Sequence, residues 1–320
     1  MTVSDPRICI VGAGGLSTKR IYPNIGAAGA KLVGVCDLDE GKARRNADRF
    51  GGTVYTDMAE MLQAEAPDGV IICIGPDAHA ELAKDVLSRG IPVYTEKPPA
   101  PDAASALAVA RASKQTGVLC TTAFKKRYAA AYTRAREFIE SFAPEQMLSI
   151  SLVYASATYS NESPRSDLLL DFGIHGIDLI SFLGGDVRGV FAFTSDRHAY
   201  AVSLEFASGA VGTFNLNDGR SFGIPTEEVE ISFAGGNFMT VHNSSCWRIS
   251  MDGKPTEWRE PPTFTSAGDS GNDTGHLAEL VDFVEAIRQG RTTRSNIYQS
   301  YKSMVLYEAI RLSAGTRQFV

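Results

Sequence analysis

The stretch Arg7-Ile8-Cys9-Ile10-Val11, broken by Gly12-Ala13-Gly14-Gly15 and continued by Leu16-Ser17, constrains this chain more than any other. A polar residue leads into an apolar run, the pattern of a strand buried on both faces in the middle of a parallel sheet. A helix-compatible run follows the glycines. Gly12 suits a tight turn. Gly14 lacks a Cβ, so a pyrophosphate can approach the backbone and meet free N–H groups at a helix start. Gly12, Gly14 and Gly15 are therefore candidate dinucleotide contacts. Ser17 stands where a third glycine would complete the motif, and a Gly-rich turn without a ligand is the plainer alternative.

The next apolar run, Lys31–Cys36, ends on Asp37. An acidic residue roughly 20 positions past the glycines can accept hydrogen bonds from the adenosine ribose. Its charge would repel a 2′-phosphate, which favours NAD over NADP. Asp37 could equally cap the following helix, because Asp is a good N-cap.

A chain of 320 residues is too long for one typical core, so two domains are expected. The formal net charge of −6 and the lack of a basic run argue against nucleic acid as the main partner. No signal peptide and no apolar run of membrane-spanning length are visible, which points to a cytoplasmic protein with no membrane partner. Of five cysteines, Cys9, Cys36, Cys73 and Cys120 sit in or beside apolar strand-like runs. They read as small buried residues of a reduced protein. No Cys-x-x-Cys or His-rich spacing suggests a metal.

Strands and helices alternate through residue 122. A charged helix runs to Phe50, and Asp57 with Glu60 opens the next. Gly69–Ile74 is a buried strand, Ala78–Arg89 a helix, and Ile91–Thr95 a strand ending in Glu96-Lys97-Pro98-Pro99. Asp102 caps a helix before the strand Val118–Thr122. This alternation demands a parallel sheet with right-handed crossovers, and ligands bind beyond the carboxyl ends of its strands. Gly12, Asp37, Gly75-Pro76, Glu96-Lys97 and Thr122 all occupy those ends. Lys97 could hydrogen-bond a bound hydroxyl and lower its pKa, or be a surface lysine paired with Glu96. The X-Pro bond after it can be cis at modest cost.

Residues 123–320 read differently. A helix is expected over Phe124–Phe142, then an alternating strand over Met147–Ala155. Val187–Thr194, Ala199–Phe206, Ala210–Asn217, Glu228–Ala234 and Asn237–Val241 are closely spaced strand-like runs, with a sixth at Trp247–Ser250. Such spacing argues an antiparallel sheet. Amphipathic helices are expected at 274–289 and 297–313, with Thr274 and Ser295 as N-caps. In a helix, Asp171 and His175 share one face, so the carboxylate can orient the imidazole as a base tunable near neutral pH. Asp178 lies three further on nearly the same face. The alternative is a capping Asp171 beside a buried, satisfied histidine.

Together Gly12-x-Gly14, Asp37, Pro76-Asp77-Ala78-His79, Glu96-Lys97-Pro98, Phe124-Lys125-Lys126-Arg127-Tyr128 and Asp171-Phe172-Gly173-Ile174-His175-Gly176-Ile177-Asp178 resemble the glucose–fructose oxidoreductase / inositol dehydrogenase family over nearly the whole chain. The resemblance implies an α/β Rossmann domain over 1–122, followed by an α+β domain over 123–320 with a large, mainly antiparallel open sheet. The last helix could pack back on the first domain. The sheet's outer face would make homodimers or homotetramers. It further implies a cis Lys97–Pro98 bond, with Lys97 contacting both nicotinamide ribose and substrate hydroxyl. Asp171 and His175 would complete the catalytic group, His175 taking the hydroxyl proton as hydride leaves for nicotinamide C4. Pro76 and His79 would lie along the nicotinamide half of NAD, Glu96 near its ribose, and Arg127 near a sugar or polyol substrate. Lys125 departs from the family's usual Asn or aromatic residue and adds positive charge. Ser166-Asp167 replace a usual Gly pair in the loop Thr158–Asp167, where Tyr159, Asn161 and Arg165 are candidate sugar ligands.

The leading expectation is an NAD-dependent dehydrogenase of a secondary alcohol in a sugar, cyclitol or sugar derivative. A redox-neutral enzyme using tightly held NAD for glycoside cleavage or epimerisation is a second. A non-catalytic NAD sensor is a third, although such a protein could dispense with Lys97, Asp171 and His175, all of which are kept.

Overall fold

The computed structural model describes residues 5–157, 167–195, 198–261 and 273–320. Two compact units are present. The first comprises Met1–Lys125 with His276–Lys302, the second Lys126–Gly275 with Ser303–Val320.

The first unit is built on β1 (Arg7–Val11), β2 (Lys31–Cys36), β3 (Thr53–Tyr55), β4 (Gly69–Ile72), β5 (Val93–Thr95) and β6 (Cys120–Thr122). They form one sheet in the order β3-β2-β1-β4-β5-β6, parallel throughout. Helices α1 (Gly15–Arg20), α2 (Glu40–Phe50), α3 (Met58–Glu65), α4 (Pro76–Ser88) and α5 (Ala103–Thr116) make the crossovers. All four residues of β4 are buried, as a strand covered on both faces must be. Strand order reverses between β1 and β4, which puts the Gly12 loop at the switch point where α/β sheets bind ligands.

Three aspartates start three helices. Asp39, Asp57 and Asp102 each accept from the backbone N–H three residues on, at 3.1, 2.8 and 2.7 Å. Asp39, not Asp37, caps α2, so the capping alternative for Asp37 is excluded.

The second unit contains α6 (Ala130–Glu140), α7 (Ile174–Gly184) and the strands β7 (Met147–Ala155), β8 (Val187–Ser195), β9 (Ala199–Phe206), β10 (Val211–Asn217), β11 (Thr226–Phe233), β12 (Asn237–His242), β13 (Cys246–Met251) and β14 (Lys254–Arg259). The sheet runs β14-β13-β12-β11-β7-β10-β9-β8. Only β7 and β10 pair in parallel among its described neighbours. Buried and exposed residues alternate along β9, β10 and β11, so one face packs and the other is wet. Helix α7 lies against β7 and β10, and α6 against β12.

Three local expectations change. The run expected to be one helix from Phe124 is a 3₁₀ turn (Lys125–Tyr128) followed by α6, because Ala129 is extended at ψ 143°. β14 was not anticipated. It is a charged edge strand with little buried surface, so it lacks the alternation that marks its neighbours. The last two helices, α8 (His276–Gln289) and α9 (Ile297–Thr316), follow. Asn296, not Ser295, caps α9, accepting from Tyr298 and Gln299 N–H at 3.1 and 3.2 Å. The Ser295 hydroxyl instead donates to the Thr122 carbonyl. Leu280, Phe283 and Val284 of α8 join Ile8, Ile10, Val35, Ile71 and Tyr94 in one core. Residues 276–302 belong to the first unit.

Candidate functional site

At the end of β1 the chain turns through Gly12, with φ +104°, a region L side chains rarely adopt. A Cβ there would sit 2.1 Å from the Cys73 carbonyl oxygen. The Gly12 N–H donates to Cys36 O at 2.8 Å, and the Tyr22 hydroxyl donates to Gly12 O at 3.2 Å. Asp37 locks the same loop. Its Oδ2 accepts from Ala13 N–H at 2.7 Å and its Oδ1 from Asp39 N–H at 2.9 Å. The carboxylate is half-buried, and the next residue, Leu38, is 95% exposed. A Cβ built on Gly14 or Gly15 meets nothing within 4 Å, so the space over that backbone is open, as a pyrophosphate needs. Ser17 is buried and its hydroxyl donates to the Gly14 carbonyl. It therefore packs the turn where the third glycine would have stood. These residues fit NAD: the loop would hold the pyrophosphate and Asp37 the adenosine ribose.

Beyond β5 the Lys97–Pro98 peptide bond is cis. Glu96 is buried, and its Oε2 accepts the Lys97 backbone N–H at 3.2 Å. The Lys97 side chain is half-buried. Pro76 is the first residue of α4, after an extended Gly75. His79, one turn on, is 0% exposed. The Ile74 N–H donates to its Nε2 at 3.4 Å. Nδ1 must then carry the proton and donate to Pro98 O, at 2.8 Å. His79 thus ties the end of β4 to the Lys97 turn.

Burial, helped by the nearby Lys97 charge, drives the His79 pKa down to about 4 from 6.5, against the raising effect of the hydrogen bond to Pro98 O. The folded state therefore prefers the neutral ring. The stability gained is complete above pH 6.5 and lost as pH falls towards 4, about 3 kcal/mol across that window. Urea denaturation at pH 7.5 and pH 4.5 should show this extra loss in the wild type. A His79→Gln variant should lack it, and equal pH dependence in the two proteins would refute the assignment.

Glu279 of α8 escaped the sequence reading. It is 1% exposed, and burial, then the nearby Glu96 charge, raises its pKa well above the ordinary carboxyl value. A single acid on an apolar helix face gives no sequence sign of such neighbours.

In the second unit Asp171 lies in a π-helical turn, Leu169–Gly173, that leads into α7. Such turns frequently mark functional sites. Asp167 caps the turn: its Oδ1 accepts from Leu169 and Leu170 N–H at 3.0 and 3.1 Å, and the Tyr307 hydroxyl donates to its Oδ2. Asp171 and His175 are both half-buried. The segment sits tightly on the sheet. A Cβ on Gly173 would lie 2.6 Å from Leu216, and one on Gly176 would lie 2.7 Å from Phe214.

Asp178 is engaged elsewhere. It is 0% exposed and grips Arg127 in a two-pronged pair, Nε–Oδ2 2.8 Å and Nη2–Oδ1 2.7 Å. The Ser303 hydroxyl donates to the same carboxylate at 2.8 Å. Arg127 is 3% exposed and lies over the Phe182 ring. Removing one partner of such a pair costs about 3–5 kcal/mol, so Arg127 is first a fixture of this unit. Next to it, Lys126 pairs with Glu227. Burial would raise the Glu227 carboxyl. The Lys126 ammonium, with hydrogen bonds from Lys126, Ser244 and Tyr132, outweighs it and holds the carboxyl below its usual range. Tyr159, Asn161, Arg165 and Ser166 lie outside the described residues.

Among the described residues no cluster of three or more His, Cys, Asp or Glu could hold a metal ion, and no helix is long and apolar enough to cross a membrane.

Residues 6–124 match the family model described as "Oxidoreductase family, NAD-binding Rossmann fold", and residues 153–320 match "Oxidoreductase family, C-terminal alpha/beta domain". Among curated proteins, inositol 2-dehydrogenase 2 of Saccharopolyspora erythraea is 28% identical over 97% of this chain and 93% of its own. The 4-carboxy-2-hydroxymuconate-6-semialdehyde dehydrogenase of a Sphingobium species is 26% identical over 91% of this chain and 93% of its own. Among solved structures, a levoglucosan dehydrogenase in complex with NADH and levoglucosan superimposes with a TM-score of 0.87 at 19% identity, covering 99% of each chain. At that identity the likeness speaks to fold.

Proposed function

The chain belongs to the GFO/IDH/MocA oxidoreductase family, and from that premise we propose that it is an NAD-dependent dehydrogenase acting on a secondary alcohol of a sugar, cyclitol or sugar derivative. The observation that carries the reading is the Asp37 carboxylate, locked by two backbone N–H groups beside an open glycine loop at the sheet's switch point. The names of the inositol and levoglucosan relatives support the substrate class.

In this reading Lys97 donates a hydrogen bond to the substrate hydroxyl and lowers its pKa. His175 accepts the hydroxyl proton, and Asp171 holds the imidazole in position and stabilises its protonated form. A bound nicotinamide would supply the hydride acceptor for the carbinol carbon, and the net change would take alcohol and NAD⁺ to ketone, NADH and a proton. Pro76 and Glu96 shape the nicotinamide side of the site, and Arg127, oriented by Asp178, is a proposed substrate contact. The wet face of the second sheet exposes Leu148, Phe193, Val211 and Trp258. That apolar surface supports a homo-oligomer through the sheet, which light scattering can check.

Separate titrations of NAD and NADP, followed by intrinsic fluorescence, test the cofactor side. NAD should bind at least tenfold more tightly, and Asp37→Ser should narrow the gap. NADP binding as tight as NAD would refute the role of Asp37. A polyol panel with NAD, read at 340 nm, tests the chemistry.

A further inference from the structure

We infer that Tyr154, Phe172 and the buried Lys126–Glu227 pair are positioning residues that hold the turn carrying Asp171, an inference that rests on the dehydrogenase reading for its catalytic consequence. Tyr154 on β7 and Glu227 on β11 are directly opposite in the antiparallel ladder. Lys126 reaches across this pair. Its ammonium bonds Glu227 and stands 5.1 Å from the centroid of the Tyr154 ring. That ring stacks on Phe172, with centroids 4.3 Å apart and planes within 11°. Phe172 is the immediate neighbour of Asp171 and lies inside the π-helical turn.

The arrangement is a continuous stack: carboxylate, ammonium, phenol ring, phenyl ring, catalytic turn. Each layer constrains the next. Glu227 is fixed in turn by the Tyr132 hydroxyl at 2.6 Å and by Ser244. A cation over a ring face attracts it, and a stacked pair resists sliding and tilting. A π-helical turn has poorer hydrogen-bond geometry than the α-helix it enters, so it needs outside support to keep one conformation. Gly173 and Gly176 let the segment approach Leu216 and Phe214, but close approach alone leaves it free to roll. The Tyr154–Phe172 stack supplies the sideways restraint. A site tolerates little error in the placement of its reacting groups, so loss of this restraint should appear in turnover rather than in cofactor affinity.

The test uses the full-length protein and the variants Tyr154→Leu, Phe172→Leu and Tyr154→Phe. Amide hydrogen exchange by mass spectrometry over the peptide carrying residues 168–180 reads the restraint directly. Steady-state kinetics on a polyol substrate, with NAD affinity measured separately, read its consequence. Both Leu variants should exchange at least tenfold faster in that peptide and lose at least tenfold in kcat. Their NAD affinity should stay within twofold of wild type. Tyr154→Phe keeps the ring and should match wild type in both readouts. Unchanged exchange in both folded Leu variants overturns the inference. So does faster exchange with unchanged kcat, or a Tyr154→Phe defect as large as that of Tyr154→Leu. If the wild type oxidises no polyol, the dehydrogenase reading falls, and the exchange result alone decides whether the stack holds the turn.

Discussion

His175→Ala should lower kcat for polyol oxidation by about 10²–10⁴-fold, the contribution typical of a positioned general base. A secondary alcohol cannot release hydride until its hydroxyl begins to shed a proton, and at neutral pH water is a poor acceptor. An imidazole beside a carboxylate has a suitable basicity and can be held in one orientation. His175 lies four residues after Asp171, at the first turn of α7, and is half-buried. It belongs to the second unit, whereas the glycine loop and Asp37 belong to the first. The loss should therefore fall on kcat, with NAD affinity within twofold of wild type. Steady-state kinetics with an independent NAD titration checks both halves. A His175→Ala protein turning over within threefold of wild type would remove the histidine from the mechanism.

The second large effect concerns the cofactor loop. Gly12→Ala should lower NAD affinity at least 100-fold and also destabilise the fold. The added methyl would sit 2.1 Å from the Cys73 carbonyl oxygen, on a backbone at φ +104°. The obstacle is main chain at the end of β4, which cannot swing aside as a side chain could. Overpacking costs about 1–3 kcal/mol, and the positive φ adds strain. Relief requires the loop to move, breaking its contacts with Cys36 and Tyr22. Gly14→Ala separates binding from folding. Its Cβ meets nothing within 4 Å, so the melting temperature should hold while the methyl occupies the space a pyrophosphate needs. Paired thermal melts and NAD titrations decide it. The account of the loop fails if Gly14→Ala binds NAD normally or Gly12→Ala melts with wild type.

Much of this architecture could be read before any coordinates. Buried parallel strands announce themselves by unbroken apolar runs, and Asp57 and Asp102 by their place ahead of helical patterns. Much of what could not be read depends on partners distant in sequence, and the rest on the local backbone path. Two aspartates, Asp37 and Asp39, stand equally well placed to cap α2. Only the backbone path gives the cap to Asp39 and frees Asp37 for the glycine loop. Arg127 and Asp178 are 51 positions apart, so nothing local shows that each neutralises the other. The i/i+4 reading of Asp171 and His175 assumed regular α-helical spacing, and the π-helical turn alters it. β14 hid because a charged edge strand has no apolar face to alternate. For the candidate site, the sequence suggests residues by type and order along the chain, but not the supports around them. His79 as a brace, Asp167 as a cap and Lys126 over Tyr154 all required the fold.

Isotopic labelling follows hydride transfer from a carbinol carbon to nicotinamide atom by atom. The protein would be incubated with NAD⁺ and a panel of sugars and cyclitols deuterated at each secondary carbinol, and the nicotinamide analysed by NMR and mass spectrometry. A substrate in the panel should yield NADH carrying its carbinol deuterium at C4, and His175→Ala and Lys97→Met should both suppress the transfer. Binding of NAD⁺ with no deuterium reaching C4 from any member of the panel would contradict the dehydrogenase reading.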